Sequence, residues 1–119
     1  NFFSKYKKYF SNPQETSDVS TAWLAFPVLI NKDAPFTRRD FQIYLESRDI
    51  QTRVVFTGNI LRQPMCKGIT KKTRSEGYKN ADAVMERGVL LPVHHGMTNE
   101  MFDRLHFTIE EFLNNNNLD

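Results

Sequence analysis

The sequence TRVVFTGNILRQP, residues 52–64, decides how we expect this chain to fold. Its first half alternates, with Val54 and Phe56 on one face, and it is rich in the β-branched and aromatic residues typical of a half-buried strand. The alternation stops at Gly58 and Asn59, two residue types that tolerate positive φ and so allow a sharp turn. The stretch therefore predicts a central strand that runs into a tight turn.

Polar residues follow this turn, and they make it the first candidate for a binding site. Arg62 and Gln63 precede Pro64, which restricts the end of the segment. The planar fork of an arginine matches phosphate or carboxylate, so the segment is a candidate anion contact. The alternative is an ordinary solvated loop with an exposed arginine, because loops are polar by default.

Composition indicates one globular domain. The chain has 119 residues, 39% hydrophobic and 25% charged, and its ten Phe indicate aromatic packing rather than disorder. The net charge of +2 is too small to indicate a nucleic-acid partner by itself. Cys66 is the single cysteine, which excludes an internal disulfide and a cysteine-built metal or iron–sulfur site within the chain.

The sequence also bears on location. The longest apolar run, residues 22–30, contains Pro27 and is too short to span a membrane, and no signal-peptide pattern is present. A lone cysteine agrees with a reducing compartment, so we expect a cytoplasmic protein without membrane or nucleic-acid partners. The chain begins at Asn1 rather than Met, inside an aromatic pattern, and we interpret it as a piece of a longer protein.

The first part of the chain predicts a helix, a loop and a strand. Aromatic residues at helical spacing in 2–10 predict the end of an amphipathic helix that faces the core, with a membrane-surface helix as the alternative. Residues 23–30 are almost entirely apolar and predict a buried strand, with Pro27 at an edge or a bulge. We divide the chain into the end of an upstream helix and a linker (1–20), a small domain (21–113) and a disordered polar tail (114–119).

The middle of the chain predicts a capped helix. Thr37 can cap its start, and Asp40 can reach back as a weak capping box. Phe41, Tyr44 and Leu45 form its inward stripe, and the helix leads into the strand at 53–57.

The last part predicts two more helices around a third strand. Asn80 can cap a helix that runs through residue 87 and ends at Gly88, and a strand at 89–91 ends at Pro92. Thr98 caps the last helix, whose core stripe comprises Met101, Phe102, Leu105, Ile109, Phe112 and Leu113. The predicted fold class is α+β, a small three-stranded sheet covered by three or four helices.

The three histidines of the chain do not form a recognisable catalytic motif in the sequence. His94 and His95 are adjacent, so in an extended segment their side chains point in opposite directions, and no third ligand stands nearby for a metal. One of them turned towards a cleft is the more plausible arrangement, and His106 is expected to be structural or exposed. A Cys66 thiolate beside His94 or His95 is a further idea that no spacing supports.

Several runs resemble the pyridoxal-phosphate-dependent nucleotide-sugar aminotransferase and dehydratase family (DegT/DnrJ/EryC1/StrS type). They are APFTR at 34–38, YLE at 44–46, IQTR at 50–53, FTGNILRQP at 56–64, LPVH at 91–94 and GMTNE at 96–100. The element GNILRQP at 58–64 is most similar to the branch that removes the 3-hydroxyl of nucleotide-linked 4-keto-6-deoxyhexoses, on the route to the dideoxy sugars of lipopolysaccharide O-antigens. The resemblance covers about residues 23–113.

The resemblance implies that the chain is the small C-terminal domain of a type I aminotransferase fold. The cofactor would be pyridoxal 5'-phosphate (PLP) or pyridoxamine 5'-phosphate (PMP), bound mainly by an upstream large domain. A lysine of that domain would hold the PLP aldehyde, and in some dehydratases a histidine replaces the lysine and the cofactor works as PMP. Lys67, Lys71, Lys72 and Lys79 do not match the lysine motif, so no catalytic residue is expected within this chain. The fragment alone is expected to be inactive.

The resemblance also implies partners and binding residues. The domain would close over a nucleotide-diphosphate sugar, with Arg62 as an anion contact, Asn59 and Gln63 positioning hydroxyls, and His94 bordering the cleft. Its other partners would be its own large domain and a second subunit in a homodimer. The basic run 71–74 and the doubled histidines are not family features.

Two alternatives remain open at this point. The same family includes nucleotide-sugar aminotransferases, and the upstream residue that holds the cofactor would separate them from dehydratases. A protein of another class, a non-enzymatic module that binds anions or nucleic acid through the basic run, would show salt-dependent binding of an oligonucleotide.

Overall fold

The computed structural model of the chain describes residues 2–116. Its four strands form one antiparallel sheet in the order β1-β2-β4-β3. The strands are β1 (Phe10–Ser11), β2 (Phe26–Ile30), β3 (Arg53–Val54) and β4 (Gly88–Leu91). The α-helices are α1 (Arg38–Glu46), α2 (Lys79–Arg87) and α3 (Asn99–Asn115), with short 3-10 helices at Phe2–Tyr6, Ile60–Arg62 and Pro64–Cys66. The predicted α+β class is confirmed, with one strand more than expected.

The core lies between the sheet and helices α1 and α3. Alternate residues of β2 and β4, such as Val28 and Val89, are buried, as the two-residue period of a strand requires. Aromatic rings fill the space under the helices, with Phe41 between Phe10 and Phe112 at centroid distances of 5.3 and 5.4 Å. The large aromatic content of the sequence is therefore used for packing.

The strand β2 is an interior strand along only part of its length. Its partner β1 reaches Leu29 and Ile30, whereas β4 pairs along residues 26–29. Pro27 lies beyond the end of β1, where the sheet has a neighbour on one side only. This placement agrees with the expectation that a residue without an N–H group lies at an edge.

The strand expected at 53–57 is short and lies at the edge of the sheet. Only Arg53 and Val54 pair, with β4, and both are exposed. Phe56 is 86% exposed. The prediction of a central, half-buried strand was wrong because alternation measures spacing and does not show which strand has a neighbour on both sides.

The start of the chain also differs from its prediction. Residues predicted as an α-helix form a 3-10 helix, Phe2–Tyr6, followed by β1. The expectation that aromatic residues here face the core is confirmed, because Phe3, Tyr9 and Phe10 are buried. The division of the chain at residue 20 stays a prediction.

The predicted capping of α1 is confirmed, whereas that of α2 was wrong, since α2 begins at Lys79 without a side-chain cap and Asn80 lies inside it. The Thr37 side chain accepts from the Asp40 N–H, and the Asp40 carboxylate accepts from the Thr37 N–H at 2.9 Å. Phe41 and Leu45 are fully buried on the inward face.

The last helix follows its predicted stripe with one exception. Thr98 caps α3, and Leu105, Ile109, Phe112 and Leu113 are buried, but Met101 is exposed. The helix continues through Asn115, into the range expected to be a disordered tail. Residues 117–119 of that tail lie outside the described residues.

Candidate functional site

The turn after β3 is built from two residues with positive φ. They are Phe56 (φ 47°) and Gly58 (φ 65°), and the Gly58 N–H donates to the Val55 carbonyl at 3.1 Å. The positive φ predicted at Gly58 is therefore found, but Asn59 is extended (φ −96°) and Phe56 takes the left-handed conformation instead. A Cβ on Gly58 would lie 2.3 Å from the Cβ of Met85, so the turn packs directly against α2.

Asn59 is a buried polar residue with both ends of its amide bonded. Its side chain is the N-cap of the 3-10 helix Ile60–Arg62, where Oδ1 accepts from the Leu61 N–H at 3.1 Å. Its Nδ2 donates to the Asp82 Oδ1 at 2.7 Å. The residue is 6% exposed, which requires that both ends be satisfied.

Arg62 forms a two-point ion pair with the same carboxylate. Its Nε and Nη2 donate to Asp82 Oδ1 and Oδ2 at 2.9 and 2.8 Å. The Arg62 hydrogen bonds, and after them the Asn59 hydrogen bond, lower the pKa of Asp82 to about 2. We call Asn59, Arg62 and Asp82 the α2 clamp, because it attaches the turn to the first turn of α2.

Gln63 closes the turn on itself. Its Nε2 donates to the Thr57 carbonyl at 3.0 Å, and its backbone precedes the 3-10 helix Pro64–Cys66. Gln63 also lines a cleft of about 330 Å³ beside the turn, together with Arg38, Phe56 and Met85. At the same cleft, Arg38 Nη1 donates to the Met85 carbonyl at 2.6 Å, and this hydrogen bond joins α1 to α2.

His94 is exposed and lies in a different cleft. That cleft, of about 290 Å³, also includes Gln51, Met97 and Arg104. The Gly96 N–H donates to His94 Nδ1 at 3.1 Å, which fixes the ring in its loop. Among residues 2–116, no hydrogen bond, ion pair or ring contact joins His94 to the α2 clamp or to Gln63.

The structure thus brings together three of the four residues that the sequence selected. Asn59, Arg62 and Gln63 lie together in the segment that follows β3, which hydrogen bonds hold in place. His94 lies in a separate cleft. Sequence reasoning missed Asp82, which lies twenty residues from Arg62 with no spacing to link them. The exposed Phe56 was also missed, because the strand pattern assigned it to a half-buried face.

The remaining chemical candidates stay separate. His106 stacks on Phe2 at 4.1 Å, as expected for a structural histidine. Within the described range, no hydrogen bond joins Cys66 to His94 or His95, and no group of three or more His, Cys, Asp or Glu residues could hold a metal ion.

No helix in residues 2–116 has the length and apolar character needed to cross a membrane.

The lysines of the chain do not form an enclosed cofactor site. Lys67, Lys71, Lys72 and Lys79 are all exposed, and Lys71 Nζ donates to the Cys66 carbonyl. A lysine that forms a Schiff base is activated by desolvation or by neighbouring charge. The residues present therefore do not fit the role of holding the PLP aldehyde.

The sequence comparisons identify relatives of known type. Residues 3–110 match the model of the DegT/DnrJ/EryC1/StrS aminotransferase family. A dTDP-4-dehydro-2,6-dideoxy-D-glucose 3-dehydratase from Saccharopolyspora spinosa is 35% identical over 101 residues, which is 85% of this chain and 22% of that protein.

Solved structures agree with the sequence comparisons. GDP-4-keto-6-deoxy-D-mannose-3-dehydratase from E. coli with bound hydrated PLP has a TM-score of 0.76 and 26% identity, over 90% of this chain and 28% of that one. A histidine-to-asparagine variant of GDP-4-keto-6-deoxymannose-3-dehydratase with bound GDP-perosamine has a TM-score of 0.76 and 25% identity, over 91% and 28% of the two chains. The chain spans about a quarter of the length of these relatives. This chain belongs to the DegT/DnrJ/EryC1/StrS aminotransferase family.

Proposed function

We propose that this chain is the small C-terminal domain of an enzyme that removes the 3-hydroxyl of a nucleotide-linked 4-keto-6-deoxyhexose. The observation that carries the proposal is the 35% identity to a sugar 3-dehydratase over 85% of the chain. The similarity of its fold to a 3-dehydratase with bound hydrated PLP supports the same reaction class.

The enzyme would use PLP or PMP held by the part of the protein outside this chain. When bound, this cofactor supplies an electron sink for negative charge on the substrate carbon. The lysines of this chain support a cofactor site outside it, because all of them are exposed and none lies in an enclosed site. The complete protein would be a cytoplasmic homodimer, and the small domain would pack against its own large domain.

The role of this domain would be to bind the nucleotide-diphosphate sugar. Arg62 would contact the diphosphate and Gln63 would position a hydroxyl group, whereas the buried Asn59, bonded at both ends of its amide, would hold the turn in place. The 64% exposure of the Arg62 side chain supports this role, since a ligand can reach the guanidinium while Asp82 holds it. His94 would border the substrate from its own cleft, in the loop after β4.

The family description favours a second function of the same kind. An aminotransferase would act on a similar keto sugar but would add an amino group instead of removing the hydroxyl. The two reactions give different products from one substrate, so a single assay separates them.

The assay uses the full-length protein that contains this chain, loaded with cofactor. It is incubated with a nucleotide-linked 4-keto-6-deoxyhexose, with L-glutamate as the amino donor and with a chemical two-electron reductant, because replacing C–OH by C–H is a two-electron reduction. The product is analysed by mass spectrometry. We expect a 3-deoxy sugar, whereas an amino sugar would assign the aminotransferase function and an unchanged substrate would contradict both. Borohydride treatment should leave the cofactor unattached if a histidine replaces the lysine, and should attach it covalently if a lysine is present.

A pair of arginine variants tests the role of this domain in binding. Arg62→Ala should raise KM at least about tenfold, because a hydrogen bond between charged groups contributes about 1.5–3 kcal/mol. Arg48→Ala is the matched control, since Arg48 also forms a 2.8 Å ion pair, with Glu111, but joins the turn after α1 to α3. An unchanged KM and kcat for Arg62→Ala would remove Arg62 from the binding site.

A further inference from the structure

Asp82 connects a buried residue and an exposed residue of the turn. It accepts from the Asn59 Nδ2 at 2.7 Å and from the Arg62 Nε and Nη2 at 2.9 and 2.8 Å. Asn59 is 6% exposed, whereas the Arg62 side chain is 64% exposed. The carboxylate therefore anchors the exposed arginine to a fixed part of the fold.

The geometry of the ion pair leaves one edge of Arg62 available. A guanidinium has five N–H donors, and Asp82 occupies the edge formed by Nε and one hydrogen of Nη2. The outer edge consists of Nη1 and the second hydrogen of Nη2. Among residues 2–116, no protein acceptor takes a hydrogen bond from this outer edge.

We propose that Asp82 is a positioning residue that holds Arg62 so that its outer edge meets the diphosphate of the nucleotide sugar. This inference rests on the function proposed above. Asp82 itself does not touch the substrate. It holds the long Arg62 side chain in place before the substrate binds, so that less conformational entropy is lost on binding.

Two further contacts hold the helix that carries Asp82. Asp82 lies in the first turn of α2, and the same helix contacts the turn through Met85, whose Cβ lies where a side chain on Gly58 would be. Arg38 donates to the Met85 carbonyl, so a hydrogen bond from α1 also holds α2 at this cleft. A side chain held on such a helix keeps its partner in place better than one on a free loop.

The charge of Asp82 also acts in the opposite direction, and charge pairing and screening decide between the two effects. A carboxylate repels a diphosphate, so its removal would by itself favour anion binding. However, the carboxylate occupies the adjacent edge of the guanidinium, where the charge of Arg62 offsets its own, and water screens charges at an exposed site. We therefore expect the loss of orientation to exceed the relief of repulsion.

The test is the variant Asp82→Asn in the full-length, cofactor-loaded enzyme. Asparagine keeps the shape of the side chain but cannot form the two-point ion pair. KM for the nucleotide sugar should rise about fivefold, the effect of one long side chain that must be ordered on binding, while kcat stays within about twofold. Asp82→Glu, which keeps the charge, should restore part of the affinity.

The matched control is Glu111→Gln. It breaks the Arg48–Glu111 pair, also 2.8 Å long and also between a helix residue and an arginine, but away from the turn. It should leave KM unchanged. An unchanged or lower KM in Asp82→Asn, or a fall in kcat alone, would overturn the proposal.

A second measurement separates this inference from the proposed reaction. Inorganic pyrophosphate is titrated calorimetrically into the full-length protein, so no turnover is required. Asp82→Asn should weaken pyrophosphate binding about fivefold, and Glu111→Gln should not change it. Equal or tighter binding by Asp82→Asn overturns the inference, whereas absence of turnover with a normal pyrophosphate response overturns only the reaction.

Discussion

The aromatic core and the α2 clamp hold their parts of the chain by different physical means. The aromatic core consists of Phe10, Phe36, Phe41 and Phe112, whose rings contact one another under the helices. The α2 clamp joins an exposed turn to a helix through one carboxylate. Burial stabilises the first region without regard to direction, whereas the second depends on hydrogen bonds between particular atoms.

This difference agrees with the role of each region, which is stability for the aromatic core and ligand binding for the turn. A packed core resists change, because any loss of volume leaves a cavity. A turn held by polar contacts keeps exposed groups in fixed positions and still leaves them open to a ligand. The comparison teaches that the candidate site is ordered without being buried.

The largest expected effect comes from the same substitution made in both regions. Phe41→Ala removes a fully buried ring and should lower the free energy of unfolding by about 3–5 kcal/mol. Phe56→Ala, at 86% exposure, should change it by no more than about 0.5 kcal/mol. Urea unfolding followed by circular dichroism measures both, and similar losses for the two variants would break the comparison.

Two glycines give the next largest effect. Gly58→Ala forces a side chain into left-handed backbone and into Met85, and should cost about 2–4 kcal/mol. Gly68→Ala has the same backbone requirement (φ 77°) but open space around it, and should cost about 1–2 kcal/mol. Equal losses in urea unfolding would show that the turn does not pack against α2.

The smallest expected effect is the pH dependence of the clamp. The pKa of Asp82 is lowered from 3.8 to about 2, chiefly by Arg62. A folded-state pKa below the unfolded value gives a contribution to stability that is present above about pH 4 and is lost as the pH falls towards 2. NMR titration of the carboxyl carbon should show this pKa, and Arg62→Ala should move it back towards 3.8, whereas Arg48→Ala should not. An Asp82 pKa near 3.8 in the unmodified chain would contradict the ion pair.

Prediction from the sequence succeeded where a local pattern had a local cause. Thr37 and Asp40 form a capping box because both partners lie within one turn of helix. The buried stripe of α3 follows from helical spacing at Leu105, Ile109 and Phe112.

It failed where the answer depended on distant parts of the chain. The strand β3 lies at the edge of the sheet because its one neighbour is β4, which pairs with β2 on its other side, and no spacing in residues 52–64 shows this. The positive φ at Phe56 was missed for a similar reason, since a bulky residue adopts it only when surrounding contacts impose it. His94 lies in its own cleft because its loop follows β4 and α3 begins directly after it.

The sequence by itself determined the α+β class, the caps of α1 and α3, the aromatic packing and the choice of residues 58–64 as the candidate site. These features depend on residues that are neighbours along the chain, so their periodicity and turn chemistry are visible in the sequence. Only the tertiary structure decided that Arg62 and Asn59 meet Asp82 and that His94 does not join them. The reason is physical, because a hydrogen bond between residues twenty positions apart depends on how α2 packs against the turn.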